Sequence, residues 1–200
     1  MTSLVTKPAP DFTCAAVLAD GTVDESFTLS RALDGRYGLV FFYPLDFTFV
    51  CPSELIALDR RIDAFRERGV EVIAVSIDSH YVHHAWRSTP IDRGGIGPVR
   101  YPIAADVKHE ICRAYGVEHD DGVALRAAFV VDRAQIVRAA IVHDLPLGRD
   151  LDELLRVIDA LQFHEVHGEV CPAGWRAGAP AMKADAEGVA AYLAEHGEHL

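Results

Sequence analysis

Short apolar runs divided by polar, turn-forming segments set out the architecture of this chain. "LVFFY" at 39–43 is continuous, apolar and aromatic, and it reads as a buried strand. Leu55, Leu58, Ile62 and Phe65 then recur at helical spacing, which predicts a helix over 52–67 stopped by Gly69. "VEVIAVSI" at 70–77 is β-branched and predicts a second strand. Ser79 is placed to cap a helix running to Arg87, and the Gly- and Pro-rich "STPIDRGGIGPVRYP" is a loop. "IAAD" at 103–106 is a weak third strand. Asp106 is placed to cap a helix over "VKHEICRAYG", ended by Gly116, with Val107, Ile111 and Tyr115 facing the core. "AAFVVD" and "QIVRAAIVH" form a hairpin around Asp132 and Arg133. A closing helix begins near Arg149 or Asp150, with Leu151, Leu154, Leu155, Ile158 and Leu161 as its apolar stripe.

Strands alternating with helices, followed by a hairpin and a final helix, predict an α/β sheet, parallel in part with an antiparallel edge. Residues 1–30 read as an additional hairpin turning near "ADGT". Beyond 166 the pattern changes. "HGEVCPAGWRAGAP" is rich in Gly and Pro and has no regular period, so 1–165 reads as one core domain and 166–200 as an arm leaving it. Neither a repeat nor a low-complexity tract is present.

The formal net charge of −11 over 200 residues repels a polyanion, so nucleic-acid binding is not expected. Half of the residues are hydrophobic, enough for a full core, yet no apolar run approaches the ~18 residues of a membrane span. The start, "MTSLVTKPAPDF", lacks a basic segment followed by an apolar one, so a cytoplasmic location is expected. There the four cysteines, Cys14, Cys51, Cys112 and Cys171, are more often inert, metal-binding or catalytic than bridged.

Cys51 stands out by position. It follows a buried strand and precedes Pro52, which suits a first helical turn. It is either the helix cap or a residue of that turn, and the restriction on a residue before proline favours the cap. In both cases the sulfur meets unpaired backbone N–H groups and the positive helix end, which favour a thiolate over a thiol. The alternative is a buried cysteine that only fills space. Thiol–disulfide oxidoreductases place C-x-x-C at such a junction, but here the tetrad is Cys51-Pro52-Ser53-Glu54, with a carboxylate in place of the second sulfur. A partner thiol must come from elsewhere. Cys171, in "EVCPAGW", is the candidate, while Cys14 and Cys112 read as packed side chains.

"FFYPLDFTFVCPSEL", "VSIDSHYVHHAW", "LRAAFVVD" and "GEVCPAGW", in this order, resemble a peroxiredoxin, closest to the bacterial alkyl hydroperoxide reductase C group of typical two-cysteine enzymes. The resemblance covers nearly the whole chain. It rests most on P-x-x-x-T-x-x-C, here Pro44, Thr48 and Cys51. It implies a thioredoxin-like fold with an N-terminal hairpin and a C-terminal arm. It also implies a peroxidase acting on hydrogen peroxide and small organic hydroperoxides. Cys51 would be oxidised to a sulfenic acid and then bridged to Cys171 of another subunit. Thr48 and Arg126 would donate hydrogen bonds to the peroxide, Pro44 would shield the sulfur, and Glu54 would orient the guanidinium. Homodimers, closing into a ring of five dimers, are implied as well. So is an external reductant, either a flavoprotein disulfide reductase or a thioredoxin-like protein, because no flavin, nicotinamide or metal motif is present.

Two features depart from the pattern. "RGGIG" at 93–97 resembles the glycine motif of peroxide-sensitive members, but the tail reads Tyr192-Leu193 where those have Tyr-Phe, so high sensitivity to over-oxidation is not expected. Otherwise 94–97 is a flexible loop. His80 and His84 have a spacing that can bind zinc, but no third ligand is evident; Trp86 and Tyr81 read as packing residues near a subunit interface. Two rival roles are a thioredoxin-like disulfide exchanger, opposed by the missing second cysteine, and a non-enzymatic holdase of large assemblies.

Overall fold

A computed structural model describes residues 3–199, except the side chain of His199. Two compact units divide it, one up to Leu151 and one from Asp152 onward.

The first unit opens with the expected hairpin, β1 (Thr13–Val17) against β2 (Val23–Thr28), closed by Leu18 N–H donating to the Thr22 carbonyl. A short helix α1 (Leu29–Leu33) leads into β3 (Tyr37–Phe42), in which every residue is buried. Next come α2 (Cys51–Arg60), α3 (Ile62–Glu67), β4 (Val70–Ser76), α4 (His80–Ser88) and β5 (Ile103–Ala105). A five-residue helix α5 (Glu110–Ala114) and the hairpin β6 (Arg126–Val131) and β7 (Val137–His143) complete the unit. The sheet order is β2-β1-β5-β4-β3-β6-β7, with β3, β4 and β5 parallel and all other neighbours antiparallel. This is the mixed α/β sheet that the alternation of elements predicts. The central strands read as unbroken apolar runs because both faces are covered.

Several local expectations are amended. The single helix expected over 52–67 is two helices. Arg61 leaves helical geometry at φ −105°, ψ 3°, but Leu55, Leu58, Ile62 and Phe65 stay buried because the break preserves the inner face. Each such side chain contributes about 1.5–3 kcal/mol by leaving water. Asp106 does serve the following helix, but from outside it. Its carboxylate accepts from Ile111 N–H at 3.0 Å and Cys112 N–H at 2.8 Å, while residues 107–109 form a turn and Val107 is exposed. Trp86 is fully buried, while Tyr81 is 75% exposed with its ring against that of His80. The 94–97 segment is held rather than loose. Trp86 Nε1 donates to the Gly94 carbonyl at 2.8 Å, and a side chain at Gly95 would collide with the Thr89 backbone.

In the second unit, helix α6 (Leu151–His167) ends at Gly168. Val170 bridges to Met182, and Trp175 is buried with its ring 4.8 Å from that of Phe163. The arm is not irregular throughout. Helix α7 (Ala186–His196) starts at Asp185, whose carboxylate accepts from Gly188 N–H at 2.7 Å. Its alanines supply helix propensity, and its few larger apolar residues, Val189 and Leu193, stay exposed rather than joining a core.

Candidate active site

The strand order brings the site together. β3 delivers the chain to a loop, residues 43–50, and α2 begins at its end with Cys51 as first helical residue and Val50 as cap. The preference for a cap at 51 therefore gives way to the first-turn alternative, with Pro52 one position further in. β6 runs antiparallel beside β3 with Phe41 opposite Ala128. Arg126, two residues earlier, is thereby level with the exit of β3. Cys51 is fully buried, and Arg126 Nη1 lies 3.4 Å from its sulfur.

The guanidinium is held on three sides. Nε donates to the Leu145 carbonyl at 2.5 Å, and Nη1 also donates to Glu54 Oε2 at 2.8 Å. Glu54 sits one turn along α2 from Cys51, which places both on the same side. A second arginine, which no sequence motif marks, completes the cluster. Arg149 donates through its backbone N–H and Nε to Glu54 Oε1, both at 2.8 Å, and through Nη2 to Oε2 at 3.1 Å. Its Nη1 donates to the Ala127 carbonyl at 2.6 Å, and its guanidinium lies 3.4 Å from the Phe41 ring centroid. Burial alone would push the Glu54 carboxyl up, but the Arg149 bonds and charge, with Arg126 behind them, outweigh it and hold the carboxyl below its ordinary range. Burial pulls the Arg149 guanidinium down. Two cations face one carboxylate in a buried space, which leaves one positive charge beside the sulfur. Such clusters are weak evidence for stability, since desolvation opposes them, and stronger evidence for a function that uses the field.

The loop carrying Pro44 and Thr48 is fixed by a second buried network. Asp46 Oδ1 accepts from the Tyr43 hydroxyl at 2.6 Å, and Oδ2 lies 2.7 Å from His83 Nδ1. The Asp46 N–H donates to Asp78 Oδ2 at 2.7 Å. Pro44 is buried between these anchors. Cys51, Arg126 and Glu54 are joined by direct bonds, and the Thr48 hydroxyl donates to the Leu45 carbonyl at 2.9 Å. His83, which sequence spacing groups with His80 and His84, is spent on Asp46.

The other thiols lie in different settings. All four cysteines are free. Burial pushes the Cys14 thiol up to about 11, and burial with Asp106 pushes Cys112 up to about 12. Both are poor nucleophiles near neutrality. Cys171, in the second unit, is half-buried with its sulfur 3.6 Å from the Ala160 carbonyl; burial raises its pKa, and Arg156 opposes the rise. His109, Cys112 and Glu118 place their donor atoms within 4.8 Å of one another. Glu118 is already bound there by Arg113 at 2.7 and 2.9 Å and by His109 at 2.9 Å. Among the described residues no helix is long and apolar enough to cross a membrane.

A buried sulfur at the head of a helix, touched by a guanidinium that a carboxylate aims, defines a thiol-based redox enzyme. Residues 5–140 match the model of the AhpC/TSA family, and residues 160–195 match the C-terminal domain of 1-Cys peroxiredoxin. Alkyl hydroperoxide reductase C of Helicobacter pylori is 54% identical over 193 residues, covering 96% of this chain and 98% of the relative. Peroxiredoxin-1 of Gallus gallus is 46% identical over 92% of each chain. The reduced 2-Cys peroxiredoxin of Plasmodium vivax superposes with a TM-score of 0.94 at 47% identity, covering 96% of this chain and all of that one. The chain belongs to the AhpC/TSA family: it is a peroxiredoxin, a thiol-dependent peroxidase with a thioredoxin-like fold.

Proposed function

We propose that the chain reduces hydrogen peroxide and small organic hydroperoxides by a two-cysteine cycle. The Cys51 thiolate attacks the nearer peroxide oxygen, the O–O bond breaks, and the leaving oxygen takes a proton to depart as water or an alcohol. Charge passes from sulfur to the leaving oxygen, so donors aimed at both ends lower the barrier. Arg126 supplies them at the sulfur, and a Thr48 hydroxyl turned from Leu45 supplies another. Pro44 keeps water from the sulfur and limits substrate size. The observation that carries this reading is the Arg126 guanidinium bonded at once to Cys51 and Glu54 in a fully buried cluster.

The product is a Cys51 sulfenic acid. Condensation with the Cys171 thiol of a second copy of the chain releases water and leaves a disulfide. A fully buried sulfur cannot reach any partner thiol unless its backbone moves, because a bridge needs Cα atoms about 4.4–6.8 Å apart. The first turn of α2 unwinds, helped by Pro52, and residues 166–200 act as the arm that brings Cys171. A dithiol donor, a flavoprotein disulfide reductase or a thioredoxin-like protein, then reopens the bond in the cytoplasm. Subunit association is supported by exposed Phe47, Phe49, Tyr81 and Ile91, and by β7, which lies at the edge of the sheet with only its first residue, Val137, bonded outward to Thr6 and Lys7 among the described residues. Dimers that close into a ring of five fit this pattern.

Non-reducing electrophoresis after peroxide, run alongside sedimentation velocity of the reduced protein, tests this reading. A covalent dimer that Cys171→Ser abolishes, together with particles of ten chains, is expected. A monomer band from the wild-type protein contradicts the cycle, and a lone sedimenting chain contradicts the assembly.

A further inference from the structure

Helix α2 is held by two unlike sets of contacts. Its first turn, Cys51–Glu54, is fixed by the charges of Arg126 and Arg149 on Glu54. Its remainder is fixed from the segment that leads into β5. Tyr101, only 1% exposed, donates its hydroxyl to the Leu55 carbonyl at 2.7 Å. One turn on, Asp59 Oδ1 accepts from Arg100 N–H at 2.7 Å, and the Asp59 carbonyl accepts from Arg100 Nη2 at 2.6 Å. Leu55 and Leu58 are fully buried between these ties. A helical carbonyl has two lone pairs and needs only one bond for the helix. The Tyr101 bond is thus an added tether on α2, placed one residue past the charged turn.

The geometry points to Tyr101 as the residue that sets how far α2 opens when Cys51 leaves its pocket. This inference rests on the resolving step proposed above. The turn from Val50 to Glu54 unwinds, while the Tyr101–Leu55 bond and the Arg100–Asp59 clamp hold the rest of the helix as a hinge. Tyr101 is a positioning residue. It acts through the Leu55 backbone, and its hydroxyl is committed there rather than to the sulfur. A tether that resists opening slows disulfide formation and lengthens the life of the sulfenic acid. In that interval a second peroxide can convert it to a sulfinic acid, with one oxygen added to sulfur and the other leaving as water or an alcohol. The Tyr101 hydroxyl therefore tilts the partition of Cys51 toward over-oxidation.

Tyr101→Phe keeps the ring and removes only the tether. In the reduced protein, amide hydrogen exchange of the α2 peptide should quicken about two- to tenfold, the range of one lost hydrogen bond. In rapid-mixing experiments the peroxide step should stay unchanged. The sulfenic-to-disulfide step should accelerate by a similar factor, and the sulfinic fraction per turnover should fall accordingly. Asp59→Asn, which weakens the clamp with Tyr101 intact, should move both readings in the same direction. Wild-type exchange and wild-type partition in Tyr101→Phe would overturn the inference, and so would a parallel loss of the peroxide step. If the wild-type protein forms no disulfide at all, the resolving step itself fails, and hydrogen exchange alone decides whether the tether holds the helix.

Discussion

Arg126 does two things with one nitrogen: it touches the Cys51 sulfur at 3.4 Å and the Glu54 carboxylate at 2.8 Å. Arg126→Ala should keep the fold, because Arg149 still pairs with Glu54. Stopped-flow oxidation by hydrogen peroxide should slow by about 10²- to 10³-fold, the scale of a lost transition-state donor. A rate within a few fold of the wild-type value would remove Arg126 from the chemistry. Cys51, Glu54 and Arg126 are legible in the sequence because Cys51 and Glu54 share one helical turn and Arg126 opens a strand in a recognisable motif. Arg149 is not. It stands in a loop 95 residues from Glu54, and no spacing links the two. His83 escapes for the same reason: a histidine repeat on one helix is visible, whereas its bond to Asp46, 37 residues away, exists only in the fold.

At the scale of elements, the long buried runs are the readable part. β3 and β4 have the expected positions, since continuous apolar residues can only be covered on both faces. Short elements are read unevenly. α5 is found where a helix is expected, with Ile111 and Tyr115 buried, but it spans five residues, shorter than the segment 107–116, whereas α1 is too short for a period and α7 has no buried side chain at all. The break at Arg61 leaves the inner-face pattern intact and hence leaves no trace in it. The first turn of α2 carries a pH signature through Glu54. Its carboxyl titrates lower in the folded chain than in the unfolded one, so its pairing stabilises the fold above the unfolded value and is lost as the pH falls through the folded one. Glu54→Gln should lower unfolding stability by on the order of 3 kcal/mol at neutrality. Measured by urea unfolding, the difference from wild type should shrink as the pH falls below about 4. A difference that is constant or grows on acidification would contradict the pairing.

For the whole molecule, the division of labour follows the two compact units. The unit up to Leu151 contains the buried sulfur, Arg126 that touches it, and the Glu54 and Arg149 behind that guanidinium. The unit from Asp152 onward contains the other thiol of the proposed cycle, beside Ala160 and under the field of Arg156. Cys14 and Cys112, with thiols raised by burial, are bystanders in this account. Peptide mass spectrometry after one equivalent of hydrogen peroxide, without reductant, tests that assignment most directly. A disulfide-linked pair of peptides containing Cys51 and Cys171 is expected, with Cys14 and Cys112 still reduced. Oxidation found on Cys14 or Cys112 while Cys51 stays a free thiol would contradict it.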